Sequence, residues 1–454
     1  MLPSCLSTNM PPILMRFIFC FSLISLAASS VAGERHHWET ESGAKVIFVQ
    51  SEALPMVDIA VDFAAGAAFD PVGKEGLARL TLQLLDKGST TLDEQQLSDR
   101  VAMTGSNIGG SFDLDRAGVT LRTLSHQEQL RESIELLATI LGEPIFPENV
   151  IAREVGMAKS SLRERNSRPG SIASKNFYAE LFGEHPYRSN GSGTEESITS
   201  ISRSDIVSFY NRFYRSSNAF ITIVGDMDLA EAKSSAELLS NRLPNGVSAD
   251  REEISSVEVR SVSRELILPH PASQAHIRIG AIGLKRGDPD YLPLLLANQI
   301  LGGSGMTSIL YDELREKRGL TYGVYSYFSP LRDEGPFVVS FQTKKEQVWE
   351  ALDLTLSITR DFFDKGPNED QLERAKKYFI GAFALNVDSN AELLTYYSTI
   401  GFYELPIDYI DSFTERVNAV TLEEIKDSLK RRMSADEMVR VIVGPESRPL
   451  ASDG

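Results

Sequence analysis

Cysteine is almost absent from this chain: there are two in 454 residues, Cys5 and Cys20. Both lie in an N-terminal apolar stretch, so the rest of the sequence can form no disulfide and no thiolate metal site. Histidine is scarce too, with six residues, none before His36. Positive charge is in deficit: 46 Lys and Arg stand against 63 Asp and Glu, a net −17. That balance argues against nucleic acid, whose phosphates need a basic surface. Long apolar runs are missing after the first 32 residues. A membrane span needs roughly 20 apolar residues, so no membrane association is expected once the N-terminal stretch is gone.

That stretch reads as an export leader over residues 1–32. Arg16 is its one basic residue, followed by the apolar run Phe17 to Leu26 and the small-x-small triplet Ser30-Val31-Ala32. Cleavage near Ala32 is expected, leaving a periplasmic or secreted protein. A chain exported without cysteine suits a bacterial periplasm, and its length allows two or more cores.

The remaining sequence looks like one α+β unit written twice. Ile201-Ser202-Arg203-Ser204-Asp205-Ile206 leads to the β-branched run Phe220 to Gly225. Val420-Thr421-Leu422-Glu423-Glu424-Ile425 leads to Val439 to Gly444, at an offset of 219 positions in both parts. Each copy opens with Ser or Thr three residues before an acid, a helix-start signature. Pro147-Glu148 and Pro367-Asn368 form a second pair. The pattern within each half is strand, helix, strands, helices, strand. Helices are expected over 76–87, 127–141, 147–165 and 290–301; strands are expected over 45–49, 57–63, 275–280 and 337–342, with a hairpin at 109–122. The halves are taken as 33–245 and 265–454, joined by a polar linker over 246–264.

Two segments carry the chemistry. In the second half, Leu314-Arg315-Glu316-Lys317-Arg318-Gly319-Leu320-Thr321-Tyr322 follows the glycine-rich Gly302-Gly303-Ser304-Gly305. By themselves Arg315 and Tyr322 read sooner as an exposed helix charge and a strand aromatic beside Tyr325 and Tyr327 than as a binding pair. In the first half, Gly76-Leu77-Ala78 precedes Arg79-Leu80-Thr81-Leu82-Gln83, then Leu84-Leu85-Asp86-Lys87-Gly88-Ser89. Arg79 cannot shed its proton to bind a metal, Leu82 has no donor atom, and Gln83 is a poor zinc ligand.

Together with Phe182-Gly183-Glu184-His185-Pro186-Tyr187 and Asn218 to Asp226, these segments resemble the insulinase, pitrilysin and mitochondrial processing peptidase family. The resemblance implies two homologous α+β domains, each an antiparallel sheet backed by helices, forming half of a clam-like chamber. It implies that Arg315 and Tyr322 are the substrate-binding Arg…Tyr pair, able to hold a peptide carbonyl as charge develops on it. It also implies that Arg79, Leu82 and Gln83 stand where the family has its zinc motif His-x-x-Glu-His. The third ligand's register falls near Lys159, which cannot serve, with Glu154 close by.

No metal is expected in this chain. His36 and His37 read as an N-terminal tail, His126 as a turn residue and His185 as part of a loop. His270 and His276 are six apart in an extended stretch, hence ~20 Å apart at about 3.3 Å per residue. The resulting expectation is a non-catalytic, substrate-gripping subunit of a heterodimeric zinc endopeptidase, inactive alone. Its partner would be a homologous subunit bearing the zinc motif, and its ligands peptides. The alternatives are a structural or binding homologue with no peptidase role, and a self-sufficient metallopeptidase with a relocated metal site.

Overall fold

The computed structural model describes residues 34–189, 191–244, 254, 256, 257, 263–385 and 387–448. The expected leader lies outside them, as does most of the expected linker. Two sheets organise the molecule. The first has the order β1(Arg35–Glu39), β2(Lys45–Gln50), β6(Ala219–Gly225), β3(Met56–Phe63), β5(Ala117–Leu124), β4(Asn107–Phe112). The second has the order β7(Glu265–Pro269), β11(Val439–Gly444), β8(Gln274–Ile282), β10(Pro336–Lys344), β9(Val324–Phe328).

Without β1 the two sheets have one topology. In each, the first strand pairs in parallel with the last, β2 with β6 and β7 with β11, and every other pairing is antiparallel. The internal duplication expected from the sequence is therefore present strand for strand. So are the matched helix starts. Ser202 and Asp205 cap the Arg203–Phe213 helix reciprocally, and Thr421 and Glu424 do the same for Leu422–Arg432. Each such cap stabilises its helix by about 1 kcal/mol. The extra strand β1 corrects one reading: His36 and His37 are not a loose tail but pair with Phe48 and Ile47 of β2.

The strands are apolar on both faces because both faces are covered. On β3, Val57, Ile59, Val61 and Phe63 point into the first domain's core with the helices Leu77–Leu84 and Gln127–Gly142. Its opposite face, with Asp58, Ala60 and Asp62, meets the helix Asn390–Phe402, which comes from the second half. The exchange is mutual. The helix Pro169–Phe182 leaves the first half and buries Ala173, Phe177 and Leu181 against Val439, Val441 and Val443 of β11. Val257, within the expected linker, belongs to the same cluster at 8% exposure, and its N–H donates to Asp333 Oδ2 at 2.8 Å. The polar composition around Val257 hid that anchor.

A buried polar knot joins the halves next to these helices. Asp115 is 0% exposed. Its carboxylate accepts from the Tyr187 hydroxyl at 2.6 Å, the Arg332 N–H at 2.7 Å and the Tyr403 hydroxyl at 2.9 Å. Burial pushes the Asp115 pKa up, against the pull of those donors. Tyr187 ends the Gly183-Glu184-His185-Pro186-Tyr187 loop, and His185 Nδ1 accepts from the Tyr187 N–H at 3.1 Å. The loop's role in this fold is thus to seat Tyr187 between the two halves.

Candidate functional site

Arg315 and Tyr322 come together through the chain's local path. The Asp312–Glu316 turn is wide: the Lys317 N–H donates to the Asp312 carbonyl at 2.9 Å, five residues back. Such turns are frequent at functional sites. Gly319 then reverses the chain at φ +62°, where a side chain would be strained. Leu320 is buried, and the Thr321 hydroxyl donates to the Gln342 carbonyl of β10 at 2.7 Å. With both neighbours pinned, Tyr322 is left 75% exposed.

The Arg315 guanidinium donates to the Tyr322 carbonyl and lies 4.5 Å from the centre of the Tyr322 ring and 5.1 Å from that of Tyr311. Arg315 is therefore held between two aromatic faces, each a favourable seat for a cation. Most of its five N–H groups remain for a ligand. Tyr322 also borders a cavity of about 220 Å³ with His276, Arg278, Tyr325 and Gln342. Tyr325 and Tyr327 of edge strand β9 are exposed as well, extending this polar-aromatic face. Upstream, the glycines expected to allow close approach do so. A side chain at Gly302 would run into Ser326 of β9, and one at Gly303 into Asn298.

The zinc-motif positions lie in a different place. Arg79, Leu82 and Gln83 line one cavity of about 410 Å³ together with Glu154, Phe112 and Lys87. Glu154, not Lys159, completes this group; Lys159 stands instead near Glu195. Arg79 donates through Nε to the Gly191 carbonyl at 3.0 Å, and its guanidinium stacks 4.2 Å from the Phe112 ring centre. Burial and the neighbouring charge of Arg165 lower its pKa. Glu154 accepts from Arg153 at 2.9 Å.

Zinc does not fit this donor set. One position is a cation already engaged, one is a hydrocarbon, and the remaining carboxylate is paired. Nothing is gained from the histidines. The backbone bends at Ala272 and Ser273 between His270 and His276. His276 has its pKa lowered by burial and by His270. Among the described residues no three His, Cys, Asp or Glu side chains form a group able to hold a metal.

Sequence reasoning missed Tyr311, Phe112 and Val257. Only Tyr311 carried a signal: it sits four residues before Arg315, one helical turn away.

Comparison with known proteins gives the family to which this fold belongs. Residues 45–195 match the family model described as insulinase (peptidase family M16), and residues 200–379 match the peptidase M16 inactive domain. A solved structure described as the peptidase M16 inactive domain from Pseudomonas fluorescens is 32% identical, with a TM-score of 0.88. That match covers 92% of this chain and 100% of the other. The Helicobacter pylori protein named non-peptidase homolog YmxG is 23% identical over 417 residues, covering 91% of this chain and 94% of that one. A Bacillus subtilis relative named uncharacterized zinc protease YmxG is 22% identical over 412 residues, covering 89% and 97%.

Proposed function

The chain belongs to the M16 peptidase family, with the family's zinc-binding residues replaced, and on that premise we propose that it is the substrate-gripping subunit of a heterodimeric zinc endopeptidase. The observation that carries the reading is the split between the two elements. The Arg315–Tyr322 face is built and exposed, while the cavity at Arg79, Leu82 and Gln83 is unfit for zinc. Tyr322 borders one cavity and Arg79, Leu82 and Gln83 another, and the two have no lining residue in common. A complete site then needs a second subunit, homologous and bearing the zinc motif, whose metal chemistry would meet Arg315 and Tyr322 across the chamber.

In that role Arg315 supplies fixed cationic donors and Tyr322 a phenolic donor to a peptide carbonyl that gains charge. The leader-like residues 1–32 support a periplasmic site of action. The acidic balance of −17 is compatible with cationic peptides.

The test is to purify the chain, measure its zinc, and assay a mixed fluorogenic peptide library with and without a zinc-motif homologue encoded beside it. The expected result is no zinc, no activity alone, and chelator-sensitive activity on mixing. Arg315→Ala should then lower the complex's rate by about 10²-fold, the scale of one lost oxyanion donor, with assembly intact. An unchanged rate removes Arg315 from the site. The name of the Helicobacter pylori relative favours a second reading, a binding homologue with no peptidase role. Silence in every arm of the assay would select it.

A further inference from the structure

A cavity of about 610 Å³ lies on the second half's helical side, where it includes Tyr327 and Ser326 of β9 but neither Arg315, Tyr322 nor any of Arg79, Leu82 and Gln83. Its size falls within the roughly 300–1,000 Å³ of small-molecule sites. Its wall comes from the Tyr291–Asn298 helix and the turn that follows it, the Glu369–Leu385 helix, the Asn390–Phe402 helix that crosses to the other half, the segment 405–413 after that helix, strand β9, and Arg286 and Gly287. The lining is strongly aromatic, with Tyr291, Tyr327, Phe379, Phe383, Tyr409 and Phe413. Some of these rings already pair with each other, Phe383 lying 4.5 Å from Phe413.

The polar groups in the wall are unevenly used. The Thr395 and Thr399 hydroxyls donate to the carbonyls of Ala391 and Thr395, and the Asn298 amide is spent on Ser326. Two buried donors are left over. Gln299 is 7% exposed and its Nε2 meets no acceptor; Arg286 Nε is buried and meets none. A buried donor left unpaired costs about 1–3 kcal/mol, more when charged. Among the described residues Arg286 is also the only charged side chain in the lining. It is held by stacking, 5.3 Å from the Tyr403 ring centre, and by its own N–H donating to the Leu331 carbonyl at 2.7 Å.

The geometry points to a binding site for an aromatic carboxylate: a ring stacked among Tyr291, Phe379 and Phe383, and oxygens received by Arg286 and Gln299. The occupant is either the C-terminal end of a peptide closing in an aromatic residue or a free aromatic acid. Aromatic walls favour a ring over an aliphatic chain, through offset or edge contacts. The single cation favours a carboxylate over an amide or amine. Because the wall includes the crossing helix, occupancy bears on the packing between the halves.

The experiment is a titration of the purified chain followed by NMR chemical shifts, with N-acetyl-phenylalanine, its amide, and Ala-Ala-Phe with free and amidated ends. The carboxylates should bind about tenfold tighter than the amides, the value of one charge-assisted contact. Tighter binding of Ala-Ala-Phe assigns the site to peptide ends; tighter binding of N-acetyl-phenylalanine assigns it to free acids. Arg286→Met should erase the difference between carboxylate and amide while retaining the fold by circular dichroism. Thr399→Trp, which fills the cavity, should abolish binding of all four. The proposal is overturned by equal affinity for amide and carboxylate, by preserved selectivity in Arg286→Met, or by no shift at millimolar ligand. Arg315→Ala should leave this binding untouched, which separates the site from the peptide-gripping face.

Discussion

The guanidinium of Arg79 lies 4.2 Å from the centre of the Phe112 ring, with Nε donating to the Gly191 carbonyl. On the proposed alignment with the zinc motif, a cation fills part of the metal's space, and it is fastened there on two sides. The misfit of this cavity to zinc is therefore a built arrangement and not only a set of missing ligands.

Restoring the ligands should restore the metal. The triple variant Arg79→His, Leu82→Glu, Gln83→His removes the cation and presents two imidazoles one helical turn apart. Glu154 already lines the cavity as third ligand. About one zinc per chain is expected by elemental analysis. Adding Glu154→Gln should abolish uptake, whereas Lys159→Ala should not. Uptake that depended on residue 159 would refute this geometry.

Tyr311 should matter without touching substrate. Its ring supports Arg315 from one side, 5.1 Å away. Tyr311→Leu keeps the apolar contact and removes the cation-binding face of a ring that is 6% exposed, a loss of about 0.5–2 kcal/mol. Peptide affinity of the assembled complex should fall a few-fold, less than for Arg315→Ala. An equal or greater loss would mean that Tyr311 has a structural role instead.

The knot at Asp115 should govern cohesion of the halves. Asp115→Ala strands two tyrosine hydroxyls and one backbone N–H in a buried place. A loss of about 3 kcal/mol or more is expected, seen as a lower midpoint in urea. Because the knot links both halves, the single unfolding transition should broaden or divide. A wild-type midpoint would show that the contact contributes nothing net.

Acid stability should report Asp290. Its carboxylate accepts from Arg431 at 2.7 Å and from Arg432 at 2.9 Å. The hydrogen bond from Arg431 leads the causes that lower its pKa to about 2. A depressed carboxylate stabilises the fold above its unfolded pKa, near 3.9, and that contribution fades as pH falls towards 2. Arg431 is half exposed, so the contribution is discounted to about 1–2 kcal/mol. Asp290→Asn should lose that amount at pH 7 and flatten the stability profile between about pH 4 and 2. An unaltered acid profile would exclude the linkage.

Much of this architecture could be read from the chain, for identifiable reasons. The duplication was legible because capping residues and buried β-branched strands leave local signatures, as at Ser202–Asp205 and Thr421–Glu424. The Arg315–Tyr322 pair rests on the family resemblance, since the two residues alone read as a surface charge and a strand aromatic; the structure brings the guanidinium 4.5 Å from the ring centre. Other features depend on contacts far apart in sequence. Nothing near residue 154 says that Glu154, rather than Lys159, faces Arg79. Asp115 looks like a turn residue until Tyr187, Arg332 and Tyr403 arrive from three other segments. His36 and His37 gave no strand pattern, and only their partners in β2 define β1. The aromatic cavity at Arg286 is assembled from residues more than a hundred positions apart, so no local pattern announces it.

The reciprocal placement of Pro169–Phe182 and Asn390–Phe402 makes the molecule equivalent to a domain-swapped dimer written on a single chain. What binds the halves is the two traded helices with the Asp115 knot beside them, more than the covalent bridge. A chain cut once in the region 245–253 should stay together as two fragments through size-exclusion chromatography. Either fragment expressed alone should fail to fold, since its sheet would expose the face that the other fragment's helix covers. The ancestral single unit, before duplication, would by the same logic have been stable only as a pair.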